Sequence, residues 1–168
     1  MGTYIPLAKT VLTGTQATVE FTSIVGTYTD LVLLVSCRSD NAVAFDTLKL
    51  ELNDTIANYS FTVVDGYNSS TSSSRGSSQA FGRAGWINGT SSTSSTFTST
   101  EIYFPNYAGS TNKPYSVTTV AENNATTSWD NACFAPLWSN TAAITKIKLY
   151  PTSGFFVSGS RFDLYGII

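Results

Sequence analysis

The stretch Tyr28–Asp40, YTDLVLLVSCRSD, decides the fold class. Leu31, Leu33, Val35 and Cys37 fall on one face at period two, and Val32, Leu34, Ser36 and Arg38 fall on the other. A strand that is apolar on both faces near its start belongs in the middle of a sheet. The same period continues on either side. In TVEFTSI, Val19 and Phe21 alternate with Thr18 and Glu20; in TLKLELND, Leu48, Leu50 and Leu52 alternate with Lys49 and Glu51 before Asn53-Asp54 closes the run. Further strands are expected at Tyr59–Val64, Ala80–Ile87, Thr96–Phe104, Tyr115–Ala121, Ala132–Trp138, Thr145–Tyr150 and Arg161–Ile167, besides one near the N-terminus. LWSNTAAI, from Leu137 to Ile144, is the one place where a helical turn is expected.

Composition points the same way. Only 12% of the 168 residues are charged, against a usual share of about 25%. Polarity comes instead from 23 Ser and 25 Thr. Thr is β-branched and Ser competes with the helical backbone for hydrogen bonds, so this bias favours strands and turns. The spacing leaves no room for helical crossovers. The expected fold is therefore all-β: one domain over residues 1–168, a jelly-roll-like sandwich of about 8 to 11 short antiparallel strands. Two Ser-rich segments, 68–78 and 89–99, are expected to be loops, ordered by neighbouring subunits.

Chemistry-bearing patterns are scarce. The chain has no histidine, which removes the Ser-His and Cys-His pairs and the usual zinc ligands. No Ser has Gly at both flanking positions of a nucleophile elbow. Ser110–Lys113 reads S-x-x-K, but it lies between strands and Pro114 follows it, where that motif should open a helix. Asp40, Asn41 and Asp46 fit turn chemistry better than a calcium loop. Five N-x-S/T triplets follow from a chain rich in Asn, Ser and Thr. Cys37 and Cys133 both sit in strand-like runs and are read as core thiols, with a disulfide possible only between neighbouring strands. No enzyme and no cofactor is expected.

A net charge of −2 with scattered basic residues argues against nucleic acid, and the sequence has neither a membrane-spanning run nor a basic leader followed by an apolar stretch. The segment Pro105–Pro114 interrupts one alternation and is followed by another. It reads as a shaped connection whose prolines fix the chain direction. Tyr107 at its tip and Lys113 are the expected contacts, with Tyr67, Arg75 and Trp129 as further candidate interface residues.

TYTDLVLLVSCRSD, LELNDTIANYS with DGYNSS and SRGS after it, YAGSTNKPYSV, and above all LWSNTAAITKIKLYPTSGFFVSGSRFDLYGI resemble a family of small virion structural proteins of tailed bacteriophages, many from aquatic hosts. The resemblance runs from about Thr22 to Ile167, nearly the whole chain. It implies a structural or tail-fibre-like component of the virion surface, made in the host cytoplasm, and brings no catalytic residues. A chain this short, without shaft or attachment segment, is expected to be a capsid decoration or cement protein: a homotrimer bound to the major capsid protein. A tail-fibre or receptor-binding tip is the alternative, and a carbohydrate-binding module contacting a host surface glycan is the third reading.

Overall fold

A computed structural model describes residues 2–67, 69–123 and 130–168. It contains thirteen strands: β1 (Tyr4–Val11), β2 (Val19–Phe21), β3 (Asp30–Cys37), β4 (Phe45–Leu52), β5 (Tyr59–Tyr67), β6 (Ser70–Gln79), β7 (Gly82–Asn88), β8 (Thr98–Pro105), β9 (Lys113–Pro114), β10 (Ser116–Val120), β11 (Asp130–Trp138), β12 (Ile147–Pro151) and β13 (Arg161–Ile167). No helix occurs among the described residues, and Ser139–Ile144 runs without the expected helical turn. Instead Asn140 Oδ1 accepts the Ala142 N–H, which gives the segment a side-chain-closed bend.

The strands form two antiparallel sheets. The larger runs β1-β13-β3-β8-β10-β11-β5-β6, with the two-residue β9 added on β11; the smaller runs β2-β12-β4-β7. The two sheets stack as a jelly-roll-like β-sandwich. β3 lies between β13 and β8, as its two-sided apolar pattern requires, with Leu31, Val32 and Leu33 all buried.

Between the sheets lies one core. Leu48, Leu50 and Leu52 from β4 and Ile147 and Leu149 from β12 meet Leu33, Ile102, Val117, Phe134 and Leu164 from the large sheet. Fully burying such side chains stabilises by about 1.5–3 kcal/mol each, before conformational entropy offsets most of the sum. The sheets touch closely where β7 crosses β10. There Gly85 has φ 118°, and a Cβ would press on Thr119 at 3.0 Å. Without it, Thr119 donates to the Trp86 carbonyl at 3.1 Å and shares a hydrogen bond with Thr100 at 2.7 Å.

The first Ser-rich segment is not the expected loop, whereas the second is a loop, as expected, over residues 89–97. Residues 70–79 form β6, an edge strand whose side chains are almost all solvated, so that no apolar alternation marked it. The second segment is held by its own chain and needs no neighbour. Arg38, buried at the end of β3, donates Nη1 to the Thr93 and Thr96 carbonyls at 2.8 and 3.0 Å and Nη2 to that of Ser92 at 3.1 Å. Asp40 and Asp46 are likewise occupied, by the Phe155 N–H at 2.7 Å and the Thr47 N–H at 2.7 Å. Among the described residues no cluster of three or more His, Cys, Asp or Glu could hold a metal ion.

Candidate interaction surface

Pairing register lines up the outward side chains of the large sheet in rows. One row reads Lys9, Asp163, Leu34, Glu101, Thr118, Cys133, Val64 and Ser73, directly opposite in turn across eight strands. A second reads Val11, Arg161, Ser36, Ser99, Val120, Asn131, Gly66 and Thr71. A third begins Pro6, Tyr165, Val32 and Tyr103; Val32, set between two tyrosines in this row, is buried. At about 4.8 Å per strand spacing, eight strands present a face roughly 34 Å wide.

This face carries more apolar surface than a solvated sheet needs. Among the described residues ten large hydrophobics are exposed, and five of them, Tyr4, Val11, Leu34, Val64 and Val120, lie here. A shallow depression of about 530 Å³ runs across its middle between Leu34, Glu101, Thr118, Val120, Arg161 and Tyr165. Arg161 and Asp163, two residues apart on β13, close a bidentate pair at 2.5 and 3.1 Å along one side. Glu101 has no hydrogen-bond or ion-pair partner, the sole such carboxylate among the described acidic side chains. A wide sheet face with apolar residues set among polar ones and a free charge is suited to contact with another protein surface.

Cys133 stands at the centre of this face, exposed, and its neighbours Ala132 and Phe134 point inward. The expectation of a core thiol therefore fails for Cys133 by strand parity and holds for Cys37, which is buried; both are free. Burial, with Asp46 adding to it, pushes the Cys37 thiol well above its ordinary value.

The sequence-predicted contacts are mostly elsewhere. Arg75 lies on this face, opposite Thr62. Tyr67 is half-buried and packs edge-on against Phe45 of the small sheet, with ring centroids 5.8 Å apart. Tyr107 and Lys113, expected at an exposed loop tip, are both buried. The Tyr107 hydroxyl donates to the Val25 carbonyl and accepts the Tyr28 N–H at 3.4 Å. Lys113 Nζ donates to the carbonyls of Gly109 and Thr111 at 2.5 Å each and reaches that of Thr141 at 3.4 Å. The segment Pro105–Pro114 is thus a plug folded onto the sandwich, a shaped connection as expected but not a contact tip. Trp129 lies outside the described residues.

No family model matches the chain, and neither does any curated protein. Among solved structures, the galectin LEC-6 of Caenorhabditis elegans is similar at 11% identity and a TM-score of 0.36, over 95% of each chain.

Proposed function

We propose that this chain is a structural protein of a tailed-phage particle, a non-enzymatic capsid decoration protein that sits on the head as a homotrimer and binds the major capsid protein. The observation that carries the contact role is the outer face of the large sheet, eight strands wide and bearing half of the exposed large hydrophobics among the described residues. The resemblance of the segments quoted above supports the virion context.

In this reading the protein works mechanically. Its free energy goes into a packed sandwich core, which holds a rigid face in place, and contact of that face with neighbouring subunits adds buried interface against pressure within the head. A specific contact buries at least about 1,000 Å² in total, which a face of this width can supply. Closed rotational symmetry would also cover strand edges such as the ten-residue β6, whose outer side has no partner strand.

Quantitative mass spectrometry of purified particles tests the reading. A decoration protein is present in many copies, in a multiple of three. A count of only a few copies, together with antibodies that block adsorption, would replace it with the tail-tip alternative; binding of isolated glycans by a chain absent from particles would replace it with the carbohydrate module.

A further inference from the structure

Two cations lie on neighbouring strands at the β7 edge of the small sheet. Lys49 of β4 and Arg83 of β7 are directly opposite residues in the β4–β7 pairing. Like charges in that position destabilise a sheet. Among the described residues no carboxylate pairs with either of them. The acids that share this sheet are engaged elsewhere, Glu51 with Lys148 at 2.9 Å, Glu20 with Lys146 at 3.1 Å and Asp46 with the Thr47 N–H at 2.7 Å.

Aromatic rings hold the two cations in place. Lys49 Nζ lies 4.3 Å from the centroid of Phe81, and the Arg83 guanidinium lies 4.7 Å from Phe61, 5.4 Å from Trp86 and 5.6 Å from Phe81. Such cation–π contacts fix position while leaving donors free. Arg83 Nη1 donates to the Thr47 hydroxyl at 3.0 Å, Nε is buried without an acceptor, and Nη2 has none among the described residues. Burial also lowers the Arg83 pKa from its ordinary value, a cost that a bound anion would relieve.

We propose that this patch binds a carboxylate side chain presented by a partner protein. A guanidinium and an ammonium on directly opposite residues can give a carboxylate charge-assisted hydrogen bonds and outweigh its single charge. The cations already lie over the ring faces, so the rings are not open for a sugar to stack on. The inference rests on the virion reading, in which the partner is another subunit of the particle.

The test titrates the full chain with a hexaglutamate peptide at low salt and follows the Arg83 Nε–H resonance by NMR. Hexalysine, inorganic phosphate and trigalacturonate serve as parallel arms. Hexaglutamate is expected to shift that resonance and the backbone amides around residues 49 and 83, and Lys49→Gln or Arg83→Lys, read on those amides, to weaken binding at least tenfold, with the amides of the other strands reporting that each variant is folded. Equal binding by the variants, or a response to phosphate or trigalacturonate at lower concentration than to hexaglutamate, would overturn the proposal. Particles separate it from the reading on which it rests. Full incorporation of the K49Q chain overturns the carboxylate site and leaves the virion assignment standing. Absence of the wild-type chain from particles overturns that assignment, and with it the particle subunit as partner.

Discussion

Lys113 Nζ donates to the Gly109 carbonyl at 2.5 Å, so the loop between β8 and β10 is closed by a charge from its own end. Three carbonyl acceptors and no acid surround this ammonium among the described residues. Lys113→Met keeps the aliphatic stem and removes the donors, leaving a buried thioether where the ammonium capped the carbonyls of Gly109, Thr111 and Thr141. Its expected cost is about 3 kcal/mol, read as a lowered midpoint in urea with an unchanged slope. An unchanged midpoint would mean that water replaces the ammonium at no cost.

Arg38 organises the second Ser-rich segment through its contacts with Ser92, Thr93 and Thr96. Arg38→Ala should lose about 2–3 kcal/mol, as expected for charged hydrogen bonds in a buried site. Amide exchange should accelerate across residues 89–97 and stay unchanged in β4 and β12. Uniform acceleration across the core would show instead that the arginine supports the whole sandwich.

Tyr59 gives the fold an alkaline limit. It is buried, its ring stacks on Trp138 at 6.4 Å, and its hydroxyl accepts the Leu52 N–H at 2.8 Å. Burial is the main cause that pushes its pKa up to about 12 from an ordinary value of 10. The unfolded chain therefore loses this proton first as pH rises. Stability from this group is intact below pH 10 and falls between about 10 and 12, by up to roughly 3 kcal/mol. Tyr59→Phe should flatten that decline in urea titrations taken across the window, and an unchanged slope would exclude Tyr59 as its source.

The two thiols should separate cleanly under native conditions. Cys133 is exposed and Cys37 is fully buried. A disulfide reagent should consume one thiol per chain quickly and the second only after unfolding. Cys133 lies mid-face, so its labelling should slow on trimer formation. Labelling at the same rate in monomer and trimer would remove this part of the face from the contact.

Much of the sandwich was legible because its strands have one wet face and one dry face. TLKLELND shows that contrast in eight residues, and β4 places Leu48, Leu50 and Leu52 in the core as read. STSSSRGSSQ shows none, because both sides of β6 meet solvent at a sheet edge, and it read as a loop. Contacts across the chain were illegible for a different reason. Tyr107 is buried by Val25, 82 positions away, and Lys113 by Thr141, 28 away, pairings that no local pattern encodes. The free pair Lys49 and Arg83 emerges only when register sets β4 beside β7. Val32 and Leu34 fall on the same face of their strand, yet Val32 is buried and Leu34 is exposed on the outer face that the proposed role depends on.

Image reconstruction of purified particles tests the central claim most directly. The expected density is this two-sheet sandwich in threefold clusters over the outside of the head, many copies per particle. Density confined to the tail tip, or particles that lack the chain altogether, would contradict it.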